Sequence, residues 1–261
     1  MGFVIAGLGM WAIGLPLSLL VRHRPEPYGY LPDGVRPAER TSEAQRHEAQ
    51  ETGQDSGIGM NQALESRAFW MIAIPATASG AALNAIAVHI MPSLTSVNLA
   101  RDTASYVAGL VVLSSVAGRL GFGWLGDRVD KRLLLATSLL MQAAGLVILA
   151  YTRNLTGAIA FLALFGPGFG GVITLRLTLQ ADYFGRRTFG SLQGLMMGMQ
   201  TAGTIAAAVF AGWVYDIRGS YQWAWLILAA IVLASVPLVR LARAPGEERA
   251  DPTRPARALA K

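Results

Sequence analysis

Seven stretches of about 20 mostly apolar residues, at 1–21, 68–91, 105–125, 133–152, 157–180, 190–215 and 221–240, are each long enough to cross a hydrocarbon core of about 30 Å as a helix. Lipid offers no water to backbone N–H and C=O groups, so a spanning segment must be a helix or a strand of a closed barrel. Segments of this length exclude the barrel. Composition agrees: 53% of the residues are hydrophobic and only 15% charged, against about 25% charged in an ordinary soluble domain. The expectation is an all-α integral membrane protein with seven transmembrane helices.

The net charge of +6 invites a nucleic-acid reading until the cations are located. Arg22, Arg24, Arg36, Arg40, Arg46 and Arg67 cluster between the first two segments; Arg128, Lys131 and Arg132 follow the third. Arg186 and Arg187 follow the fifth, and six more lie from Arg240 onward, whereas Arg101, Arg153 and Arg218 stand singly in the intervening loops. This alternation is the positive-inside pattern, which predicts a multi-pass protein of the inner cell membrane with its N-terminus outside and its C-terminus cytoplasmic. The basicity is therefore topology: the bilayer is the partner, and no nucleic acid is implied.

Residues 22–66 form one long hydrophilic segment, too polar to bury a core, and are expected to be a partly disordered cytoplasmic linker. A disordered cytoplasmic tail is expected over 243–261, leaving 67–242 as a six-helix unit with short loops, whose sequential helices should be antiparallel neighbours. There is no cysteine, hence no disulfide framework and no thiolate metal site. Met1 opens directly into apolar residues without a basic flank, so no cleaved signal peptide is expected. An odd helix count with an apolar start suggests that helix 1–21 ends a missing N-terminal half, or that a second copy supplies it.

Two helices carry internal signals. Gly190, Gly194, Gly198, Ala202 and Ala206 recur every four residues, a smooth ridge on which another helix should pack closely. The run GPGFGG at 166–171 either loosens the helix beside protein or a water-filled cavity, or marks a packing kink.

The stretch GRLGFGWLGDRVDKR, 118–132, places glycines at a helix end and then five charges in six residues. A phosphate cradle would need a strand, a glycine-rich loop and GK[ST], all absent. Small residues here let two helix ends approach, Asp127 can face a neighbouring helix N-terminus, and Arg128, Lys131 and Arg132 hold the loop at the headgroups. Gly123, Leu125, Gly126, Asp127, Arg128, Lys131 and Arg132 also resemble the signature loop of the major facilitator superfamily, in its copy between helices eight and nine. Asp130 stands where that motif usually has glycine. The resemblance implies helices six to twelve of a twelve-helix transporter, the second half of that fold. RPEPYGYLPDG after the first helix, AFW at 68–70, HIMPSLT at 89–95, ADYFGRRTFGSLQG at 181–194 and AGWVYDIRGSY at 211–221 resemble the branch holding oxalate/formate antiporters and monocarboxylate transporters.

No catalytic constellation is present: there are three histidines, no HExxH, no GxSxG and no clustered carboxylates, so an enzyme, a metal and a cofactor are not expected. Polar groups inside the spans are the site candidates. Arg119, roughly 9 Å inside its helix end at 1.5 Å per residue, either clamps a substrate carboxylate with two hydrogen bonds or snorkels to a gate ion pair. The resemblance implies the first role, because an arginine four residues before the motif glycine binds the carboxylate in that branch. Arg176, about four residues from its expected helix end, should snorkel or form a gate ion pair, with substrate contact as the alternative. His89 could relay protons or bind substrate, or serve as a hydrogen-bonded structural histidine. Gln193, Met197, Gln200 and Thr204 form a helical stripe expected to line a cavity, with Asn84 and Thr77 as further lining. The resembled antiporter carries a lysine in the corresponding helix and this chain has none, which argues against a two-cation dicarboxylate site.

All sixteen Asp and Glu lie outside the middles of the spans. An intramembrane arginine without a nearby acid fits an anionic substrate that brings the missing charge. The expected function is thus secondary active transport of a small organic anion, a mono- or dicarboxylate, by alternating access, with Gly123, Gly126, Asp127, Arg128, Lys131 and Arg132 stabilising a closed state. The alternatives are a non-transporting membrane sensor or accessory protein on the same scaffold, and a seven-helix receptor or retinal protein. Against the last, the final helix has no lysine for a Schiff base.

Overall fold

In the computed structural model, residues 2–20, 60–185 and 188–241 are described, and the chain divides into two units, Met1–Asp55 and Ser56–Lys261. The first contains α1, Gly2–Leu20, apolar along Gly7–Ser18. The second contains α2 (Met60–Glu65), α3 (Arg67–Thr95), α4 (Arg101–Gly126), α5 (Lys131–Tyr151), α6 (Leu155–Phe184), α7 (Phe189–Arg218) and α8 (Gln222–Leu241). The six helices α3–α8 are each long and apolar enough to cross a membrane, and no strand occurs among the described residues. The expected linker over 22–66 and tail over 243–261 lie outside the described residues, except that Met60–Glu65 is helical where linker was expected.

Local sequence sets the helix ends. Ser66 Oγ accepts from Phe69 N at the start of α3, and Asn154 Oδ1 accepts from Gly157 N at the start of α6, each satisfying a backbone donor that the first turn leaves orphaned. Gly185 and Gly219, at φ 72° and 64°, end α6 and α7 in a backbone conformation that a side chain would strain.

The packing order differs from the chain order. α5 lies along α6, but α4 also packs on α6, α5 on α8, and α3 on α7, whereas the successive pairs α4–α5, α6–α7 and α7–α8 barely touch. Short loops require only that helix ends be close; which faces meet depends on where each helix is smooth or apolar. α3 and α7 run parallel: Thr77 lies at Gly203, Asn84 at Thr204 and His89 at Ala208.

The GPGFGG run decides the α4–α5–α6 contact. α6 continues unbroken through Pro167, and Gly166, Gly168, Gly170 and Gly171 are buried. A Cβ on Gly168 would come within 2.9 Å of Gln142 N, one on Gly170 within 2.8 Å of Arg119 N, and one on Gly118 within 2.7 Å of the Pro167 carbonyl carbon. The run is therefore a close helix crossing in an unbroken helix, made possible by missing side chains. The expected ridge behaves otherwise: added Cβ atoms on Gly190, Gly194 and Gly198 meet nothing within 4 Å, and Ala202 and Ala206 are exposed. Four-residue spacing reveals a smooth face, not the partner that covers it; within this unit α7 turns Gly203 and Gly212 toward α3 instead. Accordingly only 22% of the apolar stretch of α4 and 17% of that of α7 is buried, against 61% for α5.

Candidate functional site

The motif loop joins α4 to α5. Gly126 faces Leu175 of α6, where a Cβ would sit 3.3 Å from its Cδ2, and Gly123 faces Thr174, so the helix that approaches is α6, not the next helix in sequence. Asp127 follows the last turn of α4 in helical backbone, and Asp130 caps α5, its Oδ1 accepting from Arg132 N at 2.7 Å. At φ −51° Asp130 needs no glycine, so the departure from the motif costs the turn nothing and supplies a cap to α5. Arg128 lies 3.9 Å over the Trp124 ring and donates to the Trp124 carbonyl, while Lys131 donates to Asp182 Oδ2 at 2.6 Å. Arg132 Nε is 3.7 Å from Asp130. The loop is thus tied to both flanking helices and to the end of α6.

Arg176 lies farther from its helix end than its sequence position suggested, although it is level with the end of α4, whose Gly126 faces the adjacent Leu175. α6 runs on through Ala181, Asp182 and Tyr183 to Phe184, so Arg176 is eight residues from the end, about 12 Å at 1.5 Å per residue. It is 7% exposed and does not snorkel; Nη1 meets Gln193 Oε1 at 3.4 Å and Met196 Sδ at 4.0 Å, both long contacts. Arg119, seven residues before Gly126, is exposed, with its backbone against Gly170 of α6. Neither arginine forms an ion pair with a described residue, and the described acids Glu65, Asp102, Asp127, Asp130, Asp182 and Asp216 all sit at helix ends or turns.

The remaining candidates gather along the α3–α7 seam. Asn84 Nδ2 donates to Thr204 O at 2.9 Å, Thr204 Oγ1 donates back to Thr201 O, and Gln200 lies beside Gly80. Among the described residues no hydrogen bond engages Asn84 Oδ1 or the Gln200 amide. His89 Nε2 is 2.9 Å from Ala208 O and Nδ1 3.3 Å from the Tyr221 hydroxyl. A carbonyl only accepts, so Nε2 carries the proton and the tyrosine donates to Nδ1. Gly212 lies beside the ring, a Cβ there standing at an ordinary contact distance of 3.5 Å from His89 Cε1. Both nitrogens are occupied, the arrangement of a structural histidine.

Sequence reasoning passed over the Ser79–Gln142 pair, where α3 meets α5: both side chains are buried, Gln142 Nε2 reaches Ser79 O at 3.4 Å, and Ser79 Oγ and Gln142 Oε1 have no partner among the described residues. The signal was present, since Ser138 and Gln142 sit four residues apart on one face of an apolar helix. Among the described residues no group of His, Asp and Glu is placed to hold a metal.

The family model of the Major Facilitator Superfamily matches residues 69–261. The chain belongs to that superfamily. It is similar to putative inorganic phosphate transporter 1-13 of Oryza sativa subsp. japonica, 28% identical over 151 residues, 53% of this chain and 29% of that protein. It is also similar to inorganic phosphate transporter 1-4 of Arabidopsis thaliana, 27% identical over 135 residues, 49% of this chain and 25% of that protein. Low affinity inorganic phosphate transporter 3 of Petunia hybrida is 28% identical over 111 residues, 40% of this chain and 21% of that protein. The matches thus span less than a third of each relative's length. As a superfamily member the chain is a multi-pass membrane protein, and its motif loop occupies one end of the bundle beside the α6 terminus.

Proposed function

We propose that the protein is a secondary transporter that moves a small oxyanion across the membrane by alternating access. The observation that carries the reading is electrostatic: Arg119 and Arg176, on the packed helices α4 and α6, lie inside spans without an acid paired to either. A cation in hydrocarbon is costly and needs a partner, and an anionic substrate brings one. A guanidinium presents two parallel N–H donors to carboxylate and phosphate alike. The placement of Arg119 four residues before Gly123 and the resemblance to the oxalate/formate and monocarboxylate branch favour a carboxylate; the names of the phosphate-transporter relatives favour phosphate.

In this reading Arg119 and Arg176 are separate cationic points along the anion's path, and Asn84, Gln200 and Thr204 line it. The 123–132 loop closes the cytoplasmic end, with the C-terminus inside, and a further half, from more of the polypeptide or a second copy, completes the cavity. Uptake of labelled phosphate, formate and oxalate into proteoliposomes, each competed with the other two and with a neutral sugar, tests it. Saturable uptake of one of the anions supports the proposal; uptake of none, or competition by the sugar alone, contradicts it.

A further inference from the structure

At the end of the bundle away from the motif loop, α7 and α8 diverge and leave a groove of about 200 Å³. Phe210, Trp213, Val214 and Ile217 form one wall at i, i+3, i+4 and i+7 of α7, and Trp223 and Ile227 form the other at i and i+4 of α8. Trp213, Ile217, Trp223 and Ile227 are all exposed although apolar, as lipid-facing side chains are. The groove therefore runs along the helices from their junction inward, over about 12 Å of α7 at 1.5 Å per residue. Its volume falls below the roughly 300 Å³ at which compact ligand pockets begin, and its elongated apolar walls suit a chain instead.

The mouth has a different character. Arg218, the last residue of α7, lines the groove with its guanidinium 5.6 Å from the Trp223 ring, and it makes no hydrogen bond or ion pair with a described residue. The ring lies within cation–π range of the guanidinium, whose N–H donors have no partner among the described residues. Asp216 is two positions back and therefore on another side of the helix, so it does not neutralise this charge. Tryptophan and arginine at the end of a span stand at the headgroup level.

We infer that this groove is a binding site for an anionic phospholipid, with one acyl chain lying between α7 and α8 and the headgroup phosphate on Arg218. The inference rests on the membrane spans and not on the transport reading. Charge complementarity selects this occupant: a zwitterionic lipid presents the same phosphate but brings an ammonium beside the guanidinium, whereas an anionic lipid leaves the phosphate charge uncompensated for Arg218.

Native mass spectrometry of the protein in mild detergent, offered equal phosphatidylglycerol and phosphatidylcholine of identical acyl chains, tests the site. Phosphatidylglycerol is expected to be retained about five-fold more, the ratio that about 1 kcal/mol per arginine near a membrane surface gives. Arg218→Gln should bring the ratio to about one, Ile227→Trp should reduce retention of both lipids, and Arg153→Gln, at the same end of the bundle, should leave the ratio unchanged. If Ile227→Trp does not fold, Ile217→Trp narrows the groove from the opposite wall. Equal retention by the unaltered protein, a preference that survives Arg218→Gln, a preference lost in Arg153→Gln, or retention indifferent to filling the groove overturns the proposal. Indifference to filling would mean that another segment or another copy occupies it.

Discussion

Lys131 Nζ donates to Asp182 Oδ2 at 2.6 Å, joining the first residue of α5 to the last turn of α6. Both side chains are partly exposed, so the pair is screened and contributes about 0.2–1 kcal/mol. Lys131→Ala and Asp182→Ala should each lower the thermal midpoint slightly, and less at high salt. The exchange Lys131→Asp with Asp182→Lys should recover most of the loss, as read by thermal unfolding of the protein in detergent.

Gly170 carries a sharper expectation. Its missing side chain lets α6 reach the Ser115 and Arg119 backbone of α4, so Gly170→Ala should destabilise by about 1–3 kcal/mol through overpacking. Gly121 on α4 has nothing within 4 Å of an added Cβ, and Gly121→Ala should be neutral or slightly stabilising, since alanine is the better helix former. Equal thermal midpoints for the two variants would contradict the assigned crossing.

Tyr221, in the turn between α7 and α8, should respond to alkaline pH. Burial, then Tyr215 and Asp216, push its phenol above the ordinary value of 10.0. The folded state therefore holds the proton more tightly than the unfolded chain, and this contribution is complete below pH 10 and lost as pH rises through the raised value. Tyr221→Phe should flatten that alkaline loss, at a cost of about 1 kcal/mol at neutral pH for the hydrogen bond to His89. Unfolding midpoints from pH 7 to 11 check both effects.

The helices were legible because a span must be long and apolar, and α3 to α8 fall within a few residues of their expected bounds. The ends were less so: Asp182 looks like a loop residue, yet α6 carries it in its last turn, and that extension leaves Arg176 eight residues from the helix end where four were expected. Packing partners were the least legible. Period-four glycines mark smooth faces wherever they occur, but Gly166–Gly171 is filled by α4 and α5 while Gly190–Gly198 meets no described helix. The capping of α5 by Asp130 was not anticipated, because backbone geometry, not residue type, decides which carboxylate reaches an orphaned N–H. The polar candidates were individually visible; their division into the α3–α7 seam, the buried Arg176–Gln193 contact and the separate Arg119 depends on helix rotation, which one apolar pattern does not specify.

The central claim is that unpaired arginines inside the spans receive an anionic substrate, and counterflow in proteoliposomes measures it most directly. The protein should exchange labelled phosphate or a small carboxylate, and Arg119→Ala and Arg176→Ala, each verified as folded by thermal unfolding, should slow that exchange by at least about ten-fold, the equivalent of about 1.4 kcal/mol. Exchange of the anion at an unaltered rate by both folded variants would contradict the account.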